Sequence, residues 1–143
     1  MNIFQCSFHQ RLRSWRDLRL SIKDLPIQEK CVRIDEWWQM APLITHYLHP
    51  LDYNNWPDPW TLLSENMYCI LTRALGIVYT LKMNGIYNIK LLIATDSQAE
   101  EIPIVTVDDA KYVLNYWPGM VLNNCFKDFT VKREISLSFI KLK

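Results

Sequence analysis

Apolar residues recur at helical spacing through the first half of this 143-residue chain and then give way to short, β-branched runs. Over residues 9–24, Leu12, Trp15, Leu18 and Ile22 fall on one side, with Arg11, Arg13, Arg16, Arg19 and Lys23 mostly on the other. That is the pattern of an amphipathic helix. Leu25-Pro26 punctuates it, because proline suits the first turn of a helix and disfavours α geometry just before it. From Pro26 to Met40, Ile27, Cys31, Ile34, Trp37 and Trp38 mark a second helix, ended or kinked by Ala41-Pro42.

Residues 49–58, with Pro50, Asn54, Asn55 and Pro57, read as a loop. Asp58-Pro59 is a helix start: the Asp side chain accepts from orphan N–H groups, and Pro at the first position needs no partner. Leu62, Leu63, Met67, Ile70, Leu71, Ala74 and Leu75 then form the stripe of a central helix that Gly76 is expected to end. Ile77 to Met83 reads as a strand, Asn84-Gly85 as a type I′ hairpin turn and Ile86 to Ala94 as its partner. Thr95 to Glu101 is a polar loop, and two strands follow, Ile102 to Val107 and Lys111 to Tyr116, joined through Asp108-Asp109-Ala110. Pro118-Gly119 is a turn, and 128–143 alternates as a C-terminal strand or arm. Helices followed by an antiparallel meander give an α+β fold. The expected organisation is one domain over 1–143: N-terminal helices at 9–48, a core at 50–117, and the C-terminal segment.

Composition narrows the function. Half of the residues are hydrophobic and 13% aromatic, with six Trp and seven Tyr, enough for a packed core and for partly exposed aromatics of the kind interfaces favour. A net charge of +1 gives no global reason to bind nucleic acid, and the N-terminal arginines read first as a solvated helix face. Cys6, Cys31, Cys69 and Cys125 show no Cys-x-x-Cys spacing and nothing like a signal peptide opens the chain, so buried thiols in a reducing setting are expected. The longest apolar windows are interrupted by Arg73, Lys82 and Lys90, so no membrane span is expected.

The loop rich in Trp and Pro at 56–60, a central helix closing on Arg-Ala-Leu-Gly-Ile at 73–77, and the antiparallel strands together resemble the transglutaminase-like superfamily, over about residues 50–117. The resemblance implies a papain-like cysteine-proteinase core. Its nucleophilic cysteine sits at a helix N-terminus, its histidine on a strand, and an Asp or Asn on the next strand orients that histidine. Counting back about four turns from Gly76 places the nucleophile position near Thr61. The strand position falls at Ile102, where no histidine stands, and the third at Asn115. Cys69 then falls in mid-helix, on the buried stripe. The expected catalytic residues are therefore none, with Thr61, Ile102 and Asn115 as degenerate positions.

Other chemistry is sparse. His9, His46 and His49 all precede the central helix; His46 or His49 could pair with Cys69 in a permuted dyad, since chain order does not fix such groups. One Cys with two His lacks the ligand pairs of a zinc site, and Asp96, Glu100 and Glu101 read as a solvated turn, so no cofactor or metal is expected. The arrangement of 56–60, Tyr68-Cys69 and 74–81 is also similar to small virion proteins of tailed bacteriophages. The expectation is thus a non-enzymatic structural or assembly protein of a virion, in a tail or baseplate, assembled in the host cytoplasm. Its partners are other structural proteins, with no small-molecule substrate, membrane or nucleic acid. Arg13, Trp15, Arg16 and Arg19 on the first helix, and Ile135, Leu137, Phe139 and Ile140 on the arm, are the interface candidates. The alternative is an active cysteine hydrolase or amidase using Cys69.

Overall fold

The computed structural model describes residues 2–44, 53–95, 99–117, 120–123 and 129–139. Four helices, α1 (Phe8–Ser21), α2 (Ile27–Gln39), α3 (Pro59–Glu65) and α4 (Ile70–Met83), precede five strands. The strands are β1 (Ile89–Thr95), β2 (Glu101–Val107), β3 (Tyr112–Trp117), β4 (Met120–Asn123) and β5 (Thr130–Ile135). They form one antiparallel sheet in the order β4-β3-β2-β1-β5. The α+β fold expected from the sequence is the one the chain adopts.

Side chains alternate across the sheet as the pleat requires. Leu91 and Ile93 of β1, Val105 and Val107 of β2, and Leu114 of β3 join the main core with the helices, while Leu92, Ala94, Ile104 and Val113 cluster with Phe129 on the opposite face. α4 packs across β1, β2 and β3, and α2 lies beside it against β3 and β4. Ser7 caps α1 in a capping box with Gln10, and Asp58 caps α3 by accepting the Thr61 N–H at 2.7 Å.

The central helix departs from the sequence reading at both ends. Its stripe is two helices: Asn66, with φ of 56°, ends α3 in the left-handed region, and Met67 and Tyr68 run on to Cys69, the N-cap of α4. Gly76 does not terminate α4, which continues to Met83. A Cβ at Gly76 would lie 2.6 Å from the Trp38 ring, so this glycine admits an indole against the helix backbone. The β-branched run that reads as a strand, Ile77, Val78 and Thr80, is buried on all sides in α4, where packing overrides propensity. Asn84-Gly85 turns the chain from α4 toward β1, so there is no hairpin at this point.

The interface candidates are also redistributed. Trp15 is fully buried and its indole N–H donates to Thr80 Oγ1 at 2.9 Å, so it presents no docking surface. Arg13 and Arg16 are exposed, and Arg19 stacks its guanidinium 4.1 Å from the Trp15 ring centroid. Arg11 turns inward and donates to the carbonyls of Leu63 and Ser64 at the end of α3, where a cation meets the negative end of the helix. The C-terminal arm is an edge strand of its own sheet: β5 pairs with β1 and Ile135 is buried, with Leu137 and Phe139 in a short 3-10 turn after it. Ile140 lies outside the described residues.

Candidate active site

Moving the helix start changes the reading of Cys69. Asn66 breaks the stripe four residues after Leu62, and Tyr68 then pairs in a parallel bridge with Leu43, its carbonyl accepting the Ile44 N–H at 2.8 Å. This extended segment delivers Cys69 to the N-terminus of α4, where unsatisfied N–H groups and the helix dipole favour a thiolate. Thr72 completes the cap. Its Oγ1 accepts the Cys69 N–H at 2.7 Å, and its hydroxyl has the Cys69 carbonyl at 3.0 Å and Cys69 Sγ at 3.7 Å as acceptors, the carbonyl being the nearer. Cys69 itself is only 5% exposed. Among its described neighbours in the chain and across the bridge between Leu43 and Tyr68, Leu43, Ile44, Met67 and Ile70 are all more than a third exposed.

Asn115 stands at the same end of α4. Its backbone is left-handed, with φ of 65°, a conformation asparagine tolerates better than most residues. Its Nδ2 donates to the Ile70 carbonyl at 3.2 Å and to the Pro103 carbonyl at 2.8 Å, while Oδ1 accepts from Arg73 Nε at 2.8 Å. The helper position inferred from the sequence is thus occupied by an asparagine that ties the first turn of α4 to β2. Ile102 lies beside Pro103 on β2, with its side chain against the outer cluster. Thr61 is in the first turn of α3, in a hollow of about 280 Å³ whose lining does not include Cys69. Cys69, and not Thr61, therefore stands at the N-terminus of the central helix α4, while Thr61 belongs to the separate helix α3. The count failed because it started from a glycine in mid-helix.

Two further members were missed. Asp35 on α2 is fully buried; its Oδ1 accepts the Asn115 N–H at 2.9 Å and the Gln39 side-chain amide at 3.2 Å, while Oδ2 has no hydrogen-bond donor. Burial pushes its carboxyl up to about 6, against the pull of these two hydrogen bonds and of Arg73. Arg73, one turn beyond Cys69, is held below the usual guanidinium value by burial, with Asp35 opposing. A signal was present in the sequence: Asp35 lies between Ile34 and Trp38 on the apolar stripe of its helix, and Arg73 interrupts an otherwise apolar one.

His46, His49, Asp96 and Cys125 lie outside the described residues, and His9 is exposed on α1. Cys31 is buried on α2, and desolvation first, with Asp35 and Asp108 adding, pushes its thiol up to about 12, so it is an inert thiol.

Among the described residues no helix is long and apolar enough to cross a membrane. No family model and no curated protein matches the sequence. Solved structures do match. Calcium-bound LapG of Legionella pneumophila superposes with a TM-score of 0.76 at 11% identity, over 92% of this chain and 77% of that one. LapG of the same organism, both without that label and EGTA-treated, gives 0.74 at 12% identity, over 90% of this chain and 74% of LapG. These neighbours overturn the expectation of a non-enzymatic protein, since LapG is a calcium-dependent cysteine protease of transglutaminase-like fold. Nothing in them links the chain to virion, tail or baseplate proteins. Calcium takes six to eight oxygens, usually with several carboxylates. No three such acidic, His or Cys residues stand together among the described residues, and the Arg73 cation stands one turn behind Cys69, so the described residues do not fit the ion. At 11–12% identity the likeness carries the fold alone: this chain shares the α+β architecture of its LapG neighbours.

Proposed function

We propose that the protein is a cysteine hydrolase that cleaves an amide bond, most simply a peptide bond, with Cys69 as nucleophile. The observation that carries this reading is the position of Cys69 as the N-cap of α4 in a fold whose neighbours are cysteine proteases. A thiol there gains from the helix N-terminus, whose first-turn N–H groups are the natural donors to an oxyanion.

The chemistry follows from these groups. The Cys69 thiolate attacks the amide carbon, and the resulting oxyanion collapses to a thioester as the amine leaves with a proton. Water then hydrolyses the thioester, returning the thiolate and a carboxylic acid. The proton carrier for both steps is a histidine. The sequence offers His46 and His49 for that role. The exposed apolar side chains of Leu43, Ile44, Met67 and Ile70 fit an apolar stretch of substrate.

The test is a thiol-directed probe and a pool of peptides offered to the folded protein, to Cys69→Ala, and to His46→Ala and His49→Ala. Mass spectrometry should place the probe on Cys69, and peptide cleavage should fall at least about a hundredfold in Cys69→Ala and in one of the histidine variants. Cleavage that survives Cys69→Ala, or a native Cys69 that never takes the probe, would remove the proposal.

A further inference from the structure

A charged pair lies buried one turn behind Cys69, and hydrolysis as described above has no use for it. Arg73 follows Cys69 by four residues and its N–H donates to the Cys69 carbonyl at 3.0 Å. The Arg73 side chain then runs to Asn115, which in turn holds the carbonyl of Ile70, the residue after Cys69. Asp35 reaches the same asparagine from the other side, through its backbone N–H. The four residues form one continuous chain of contacts from α2 through β3 to the first turn of α4. Arg73 and Asp35 are 8% and 0% exposed, so neither charge is screened by bulk water.

We infer that Arg73 and Asp35 are opposed positioning residues that set the ionisation of the Cys69 thiol. The Arg73 cation favours the thiolate, and the Asp35 carboxylate offsets that cation. The groups facing Asp35 are Arg73 from α4, Asn115 from β3, and Cys31, Glu36 and Gln39 on its own helix. Arg73 is the cation among them. The inference rests on Cys69 as the reactive thiol, but its consequence is measured on the thiol and not on a substrate.

The experiment is the pH dependence of Cys69 alkylation by iodoacetamide, resolved by peptide mapping so that Cys6, Cys31 and Cys125 are counted apart. Asp35→Asn keeps the shape and removes the anion, so the apparent Cys69 pKa should fall and alkylation below that pKa should speed up by about threefold or more. Arg73→Gln should move the midpoint the opposite way by a similar factor, and Arg73→Lys should return it toward the wild-type value. A purely structural role predicts instead that both variants loosen the site and raise reactivity together. That outcome, an unmoved midpoint in folded Asp35→Asn, or a wild-type Cys69 inert at every pH overturns the inference. Should Arg73→Gln fail to fold, the direction of the Asp35→Asn shift decides alone. Opposed shifts without peptide cleavage would keep the positioning pair and discard the hydrolase reading; cleavage without opposed shifts would do the reverse.

Discussion

The Trp38 ring packs against Gly76, so close that a Cβ on the glycine would stand 2.6 to 2.7 Å from three of its carbons. The contact joins α2 to the middle of α4, and Thr80 fixes it. Thr80 Oγ1 accepts the indole N–H of Trp38 at 3.0 Å and that of Trp15 at 2.9 Å, while donating to the Gly76 carbonyl at 2.7 Å. One buried hydroxyl thus satisfies two indoles from two helices. Trp37 and Tyr68 pack edge-on against Trp38, and Phe4 packs edge-on against both of them, with Tyr68 immediately before the candidate nucleophile.

Gly76→Ala is therefore expected to destabilise the protein, although alanine is the better helix former. Helix propensity would favour alanine by about 1 kcal/mol at an open position, but the displaced indole costs about 1–3 kcal/mol in strain and in broken hydrogen bonds to Thr80. Equilibrium denaturant unfolding should show a net loss. A stabilised Gly76→Ala variant would mean that Trp38 has room to move and that the glycine is incidental.

This contact also explains where the sequence misleads. A glycine after an apolar stripe, followed by Ile-Val-Tyr-Thr-Leu and Asn-Gly, carries every local mark of a helix stop, a strand and a hairpin. The marks fail because the ring that needs the glycine comes from Trp38, 38 positions earlier, a pairing no local window contains. Elements whose faces alternate within themselves were legible: α1, α2, the cap at Asp58, and strands β1 to β3. β4 was not recovered. The sequence singled out Asn115 through the order of the strands, and the fold sets it against the first turn of α4. Cys69 was misplaced by the error at Gly76, and the partnership of Asp35 with Arg73 depends on three elements meeting.

The second break lies at Asn66. Its left-handed backbone ends α3, and its Nδ2 donates to the Phe4 carbonyl at 2.8 Å, tying this break to the N-terminal turn. Asn66→Ala should cost about 1–3 kcal/mol, the sum of a left-handed alanine and a lost, partly buried hydrogen bond. Asn66→Gly should cost less, because it loses the bond and relieves the backbone. Under the proposed function, Asn66→Ala should also slow Cys69 alkylation more than Asn66→Gly, since the break is what leaves Cys69 at the start of α4. Equal thiol reactivity in the two variants would show that the extended segment at Met67 and Tyr68 holds its place without the asparagine.

Asp35 gives the fold a signed pH dependence. Its carboxyl is raised from 3.8 to about 6 in the folded protein, so the folded state holds this proton more tightly than the unfolded chain does. The contribution to stability is fully present below the unfolded value and is lost as pH rises through about 6. Its full span is at most about 3 kcal/mol, the free energy equivalent of the shift. Asp35→Asn lacks this titration. Between pH 4 and pH 7 the stability of Asp35→Asn should therefore gain on the wild type by up to about 3 kcal/mol, whichever of the two is more stable at the starting pH. Comparing the two proteins removes the titration of every carboxylate they share. Urea unfolding at half-unit pH steps provides the measurement, and parallel curves would show that the buried carboxyl keeps its ordinary ionisation, with Arg73 compensating its burial in full.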